Sequence, residues 1–182
     1  MDGHFVPNIT IGPPVVSSLR RYSDKFFDCH LMITEPERYL EPFKKAGADG
    51  CTVHVEVGNT AAHIAQMRDL GLRVGLALNP RTPFADVEPF LGDIDLLLCM
   101  TVFPGFGGQA FMSEPLPTIK AAREAADRHG YQLDIEVDGG IDLTTAPVVV
   151  EAGANVLVAG SAIFARPDPL GAARDLRAAA DR

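Results

Sequence analysis

The chain has 182 residues, 47% of them hydrophobic and 22% charged, with a formal net charge of −8 at pH 7. This is the length and composition of one globular domain over residues 1–182, and the negative charge excludes nucleic acid, whose phosphates would be repelled. No run of about 18 apolar residues is present to cross a membrane, and Met1-Asp2-Gly3-His4 lacks the basic and apolar segments of a signal peptide. A cytoplasmic location without membrane attachment is therefore expected. Cys29, Cys51 and Cys99 lie inside apolar runs with no CxxC spacing, which predicts buried, reduced thiols.

Taken in chain order, short apolar runs alternate with amphipathic stretches. Residues 26–32 read as a strand, 37–46 as a helix ended by Gly47, and 50–55 as a second strand. Residues 60–70 form a helical pattern ended by Gly71, followed by strands at 73–78 and 95–102. A helix at 116–129 stops at Gly130, a strand covers 132–137, and a helix at 144–152 stops at Gly153. A strand at 155–159 and a helix at 169–180 complete the series. The strands, rich in Val, Leu and Ile, read as buried on both faces. Strands alternating with helices predict βαβ units and a parallel sheet, and the repeated Ala-Gly-Ala at 46–48 and 152–154 suggests quasi-repeated units.

All six strands end in polar groups: His30; His54 and Glu56; Asn79; the glycine-rich run after Met100 and Thr101; Asp138; and Gly160-Ser161. Chemistry gathered at the C-terminal ends of parallel strands is the distribution of a (β/α)8 barrel. The run Pro104-Gly105-Phe106-Gly107-Gly108-Gln109 fits neither a P-loop nor a dinucleotide fingerprint. Together with Asp138-Gly139-Gly140, Gly160-Ser161 and a short helix starting near Ala162, it predicts backbone donors for a phosphate.

The motifs DGHFVPN (2–8), CHLM (29–32), TVFPGFGGQ (101–109), VDGGI (137–141) and VAGSAIF (158–164) stand in order over essentially the whole chain. Together they resemble the ribulose-phosphate 3-epimerase family. The resemblance implies inversion at C3 of a pentulose 5-phosphate through an enediolate, assisted by one divalent metal ion (zinc, iron, manganese or cobalt). It further implies a phosphorylated ketose as substrate and assembly into a homo-oligomer. Relatives acting on other ketose phosphates, such as allulose 6-phosphate, share most of the motifs. Carried over by position, His30 is a metal ligand that also touches substrate, and Asp138 is a metal ligand and acid–base carboxylate. Gly105, Phe106, Gly107, Gly108, Gly139, Gly140, Gly160 and Ser161 form the substrate and phosphate cradle, with Met1, Met32 and Met100 lining the pocket. His54 and Glu56 are expected in a supporting role, and His63 and His129 at the surface. His4 has no assigned role, and Phe103 stands where the family often has a polar residue. A lyase of the same barrel type would need a strand-end lysine, whereas Lys25, Lys44, Lys45 and Lys120 lie before a strand or on helices.

The family resemblance also sets an expectation of incompleteness. Members carry a strand, a helix and a second strand before the segment matching Met1, and that second strand bears a His and an Asp one residue apart. The expectation is a partial barrel of about six strands whose true start lies upstream. Such a chain keeps two metal ligands and one acid–base carboxylate, leaves two sheet edges open, folds poorly alone and shows no epimerase activity. An inactive barrel that binds sugar phosphate or a partner is the non-catalytic alternative.

Overall fold

Side chains alternate between the two faces of a strand, so a parallel strand clad by helices on one side must place every second residue on the other. The computed structural model describes residues 1–181. Its strands are β1 (Asp28–Leu31), β2 (Gly50–His54), β3 (Arg73–Leu78), β4 (Leu96–Met100), β5 (Asp134–Asp138) and β6 (Val156–Val158). They form one sheet in the order β1-β2-β3-β4-β5-β6, and every neighbouring pair is parallel. The helices are α1 (Pro13–Arg20), α2 (Leu40–Ala46), α3 (Thr60–Asp69), α4 (Leu116–His129), α5 (Ala146–Glu151), α6 (Ser161–Phe164) and α7 (Pro169–Ala180).

Two apolar clusters mark the two faces. Cys51, Val53, Leu76, Leu97, Ile135 and Val137 belong to the larger one, with Phe43 of α2, Met67 of α3, Ile119 of α4 and Val149 of α5. Residues one step out of phase, Ala77, Leu96, Leu98 and Met100, build a second cluster with Met32, Val102 and Val6. β1 and β5 would stand about 19 Å apart in a flat sheet, at ~4.8 Å per strand. Asp28, His30 and Asp138 nevertheless line one cavity. The sheet therefore curls into the expected incomplete barrel, with the second cluster on its concave face. Among the described residues β1 pairs with β2 alone and β6 with β5 alone.

Several expectations need correction. β1 and β6 are not buried on both faces, since each has one strand neighbour and carries exposed or half-buried residues. Cys29, on β1, is half-buried for the same reason, while Cys51 and Cys99 are buried and all three thiols are free. α1 was not expected. His63 is buried rather than at the surface, because the inward stripe of α3 includes it with Ile64 and Met67, and its Nε2 meets Glu37 Oε2 at 3.3 Å. Residues 37–46 divide into a 3₁₀ turn at Pro36–Arg38 and α2, and further 3₁₀ turns occupy Val55–Val57, Phe84–Asp86 and Glu88–Asp93.

At the starts of the strands a two-strand pattern recurs. Asp49, just before β2, accepts the N–H of Phe27 at 2.8 Å. Asp95, just before β4, accepts the N–H of Val74 in β3 at 2.8 Å. Asn155, just before β6, accepts the N–H of Ile135 in β5 at 2.7 Å. Each carboxylate or amide thus holds the strand that precedes its own. Asp134 adds an ion pair with Arg73 and takes the Asn155 amide N–H at 2.6 Å.

Between this end and the mouth, the concave face is polar and tight. Thr52 donates to Asp28 Oδ2 at 3.1 Å. A Cβ on Gly75 would overlap the Thr52 hydroxyl and stand 2.9 Å from its Cβ. Glu136 is 7% exposed, and burial, with Asp28 and Asp138 nearby, pushes its carboxyl from 4.5 up to about 8. Two outcomes are expected. Gly75→Ala lowers unfolding free energy by about 1–3 kcal/mol in urea denaturation, the cost of overpacking a filled layer. Because the folded chain binds the Glu136 proton more tightly than the unfolded one, this group's contribution to stability falls as pH rises from 4.5 towards 8. Glu136→Gln should flatten that fall in denaturation curves recorded across the same range.

Candidate active site

The segments after the strands build the mouth of the curled sheet. Residues 1–9 lie across it: Val6 enters the concave cluster, and Phe5 packs against the buried His54 ring at a centroid distance of 4.6 Å. Against the desolvation of the Asp2 carboxylate, four donors hold it well below the usual carboxylate range. They are the N–H groups of His4 (2.9 Å), Phe5 (2.9 Å) and Thr34 (2.8 Å) and the Thr34 hydroxyl (2.9 Å). The segment is thereby tied to the loop after β1. Its other end is tied to the glycine-rich loop, where the Asn8 amide donates to the carbonyl of Gly105.

The glycine-rich loop closes on itself: the Gln109 side-chain amide donates to the carbonyls of Phe103 (2.7 Å) and Phe106 (2.8 Å). It faces Gly139 and Gly140, which turn the chain away from β5 with φ of +127° and +64°. A Cβ on Gly139 would lie 2.7 Å from Val102 N, and one on Gly140 2.7 Å from Phe111 N. The two glycines are therefore demanded by backbone packing as well as by conformation. Thr101 fastens the turn, its hydroxyl donating to the Gly139 carbonyl at 2.6 Å.

A cavity of about 640 Å³ opens between these loops, lined by Met1, Met32 and Met100, by Gly105, Phe106, Gly107 and Gly108, and by Asp138, Gly139, Gly140, Gly160 and Ser161. Every residue expected in the cradle and pocket is brought together there, with the exception of His30. His30 lines an adjoining cavity of about 760 Å³ with Asp28 and Cys29, and Met1, Met32 and Asp138 border both. Asp138 is thus the carboxylate at the junction, and burial raises it above the usual range. Arg166, after α6, brings a positive charge to the first cavity. Neither it nor Asn8 was singled out from the sequence. Arg166 follows the last strand motif and has no spacing of its own, whereas Asn8 stands inside a quoted motif.

Burial, reinforced by His54, holds His30 well below the ordinary histidine range. Its Nε2 lies 2.8 Å from His54 Nε2, and His54 Nδ1 lies 3.0 Å from Glu56 Oε2. His54 and Glu56 thus stand in line behind His30. A metal site is not complete: among the described residues no group of three or more His, Cys, Asp or Glu side chains is placed to hold an ion. His30 and Asp138 are two donors, below the three that a catalytic centre of this kind takes from protein. Among the described residues no helix is long and apolar enough to cross a membrane.

The family model described as the Ribulose-phosphate 3 epimerase family matches residues 1–164. The chain is 50% identical over 179 residues to the ribulose-phosphate 3-epimerase of Bacillus subtilis (strain 168), covering 97% of this chain and 82% of that one. It is 51% identical over 172 residues to the enzyme of the same name from Synechocystis sp., covering 92% and 74%. Among solved structures, KGPDC from Streptococcus mutans superposes with a TM-score of 0.73 at 18% identity, over 94% of this chain and 80% of that one. 3-Hexulose-6-phosphate synthase from Salmonella typhimurium gives 0.69 at 22% identity, over 91% and 78%; these two likenesses concern the fold alone. The chain belongs to the ribulose-phosphate 3-epimerase family, a family of isomerases.

Proposed function

We propose that this site serves epimerisation at C3 of a pentulose 5-phosphate, D-ribulose 5-phosphate to D-xylulose 5-phosphate. The observation that carries the reading is the position of Asp138, where the glycine-lined cavity meets the one containing His30. The glycine-rich turns at 105–108 and 139–140, with Gly160 and Ser161, offer backbone N–H groups to the phosphate, and Arg166 adds charge. That anchors one end of the substrate and leaves its ketone end towards Asp138 and His30. The C3 hydrogen is acidic because the C2 ketone delocalises the charge left behind as an enediolate. Asp138, its carboxyl raised by burial, stands where it can take that proton and return it. The methionines Met1, Met32 and Met100 supply soft, apolar walls that exclude water from the reacting carbons.

Inversion needs two acid–base groups, one on each face of the planar intermediate; Asp138 is one, and Asp28 borders the cavity that it shares with His30. The divalent ion implied by family membership belongs to the same proposal, with His30 and Asp138 as its available donors; no step here runs through it. Cytoplasmic pentose phosphate metabolism, a homo-oligomer and a single domain over 1–182 complete the reading. Allulose 6-phosphate is the alternative substrate of the same chemistry. A second reading, sugar-phosphate binding without turnover, is favoured by the two-donor metal pair.

Proton NMR in D2O with D-ribulose 5-phosphate tests the assignment. The expected result is exchange of the C3–H for deuterium, and a fall in that exchange of about 10²–10⁴-fold for Asp138→Asn. Equal exchange in both proteins would remove Asp138 from the reaction, whereas calorimetric binding with no exchange in either would establish the binding-only reading. In calorimetry, Arg166→Ala is expected to weaken ribulose 5-phosphate about tenfold, ~1.4 kcal/mol. Inorganic phosphate should compete for the same site.

A further inference from the structure

The glycine-rich loop after β4 has its hydrogen-bonding groups satisfied on one side only. The Gln109 amide donates to the carbonyls of Phe103 at 2.7 Å and Phe106 at 2.8 Å. The Asn8 amide takes the carbonyl between them in the chain, that of Gly105. A backbone carbonyl oxygen only accepts, so each contact requires the NH₂ end of its amide, and neither amide can be turned round. Among the described residues, by contrast, no protein acceptor takes the N–H of Phe106, Gly107 or Gly108. The loop thus has its acceptors bound and its donors free.

Peptide geometry says where two of those donors point. Every described peptide bond is trans, and in a planar trans peptide the C=O of one residue and the N–H of the next point in opposite directions. The Gly105 carbonyl is aimed at Asn8, which does not border the cavity of about 640 Å³. The N–H of Phe106 is thereby turned to the other side of the loop, the side on which Gly105 and Phe106 line that cavity. Fixing the Phe106 carbonyl at Gln109 turns the N–H of Gly107 away from that amide in the same manner. Nothing of the protein fills the space beside these donors: a Cβ on Gly107 or Gly108 would meet no atom within 4 Å. Successive free N–H groups facing one concavity make a seat for an anion.

We propose that Asn8 and Gln109 are positioning residues for a phosphate, holding three carbonyls of the loop so that the N–H groups of Phe106 and Gly107 stay turned towards the anion. The inference rests on the sugar-phosphate reading of the cavity and adds the side chains that set the polarity of its wall. Asn8 is 97 positions from Gly105, and its own segment is tied through Asp2 to Thr34 after β1, so its grip does not depend on the loop's conformation. Without the two amides the loop's peptides are free to turn, and a carbonyl turned inwards repels the phosphate that an N–H attracts.

Titration of the full chain with inorganic phosphate, followed by calorimetry and by ¹H–¹⁵N correlation spectra, tests this. In the wild-type protein the amide signals of Phe106 and Gly107 should move downfield as phosphate is added. Gln109→Met keeps the length of the side chain and removes its donors, and Asn8→Leu does the same for the segment across the mouth. Each is expected to weaken phosphate about tenfold and to abolish the downfield shift of Phe106 and Gly107. If Asn8→Leu does not fold, Gln109→Met, in a loop at the surface, carries the test alone. Wild-type affinity with the shifts retained would overturn the proposal. Weakened affinity with the shifts retained would give the two side chains a merely structural part and count equally against it. Phosphate that moves Gly139 and Gly160 in the wild-type protein but leaves Phe106 and Gly107 unmoved would sink the proposal while the sugar-phosphate reading stands. No binding of phosphate to the wild-type protein would remove both together.

Discussion

In a parallel sheet every second side chain of a strand points to the same face, and once the sheet curls the inner face has room for few of them. The character of the site comes from that geometric pressure. The outer phase of each strand is apolar and meets helices. The inner phase carries Asp28, His30, Thr52, His54, Glu136 and Asp138, groups that would be costly to bury singly and are tolerable because they share partners. Thr52 satisfies Asp28, His54 satisfies His30, and Glu136 gives up its charge across much of the neutral range. Curling also brings β1 and β5 to a common cavity, which puts a histidine and a carboxylate from opposite ends of the chain within reach of one ligand.

Much of this was legible in the sequence, for reasons that can be located. Strand β3 and helices α4 and α7 have the bounds that the periodicity predicts, because each is delimited by glycine, proline or an abrupt change of polarity. α1 was not expected, although Pro13 and Pro14 after Gly12 suit the first turn of a helix, where proline is welcome. The error over His63 has a different origin. A histidine beside alanines suggests a solvated face, and only the packing of α3 against Glu37 shows which way it turns.

At the site, the glycine motifs marked the lining of the cradle, since the crowding of Gly139 by Val102 and of Gly140 by Phe111 admits no side chain there. The line from Glu56 through His54 to His30 was not readable as a line. His30 and His54 are 24 residues apart, and in the β1–β2 register His30 stands opposite Thr52. The contact therefore reaches diagonally across the pair, and it depends on ring orientation rather than on spacing. Arg166 is similar: it borders the cavity because α6 is one turn long and brings the chain straight back over the opening.

The acceptors that precede β2, β4 and β6 bear on how the sheet is held together. Asp49, Asp95 and Asn155 each fasten a strand to the one before it, so the sheet is phased in twos: β1 with β2, β3 with β4, β5 with β6. The seams between those pairs, β2 to β3 and β4 to β5, lack such an acceptor of their own among the described residues, apart from the Arg73–Asp134 ion pair that spans from β3 to β5. The backbone ladders across those two seams are longer than the ladders within the pairs, so side-chain fastening and main-chain pairing take turns along the sheet, with that single arginine as a further strap from β3 to β5.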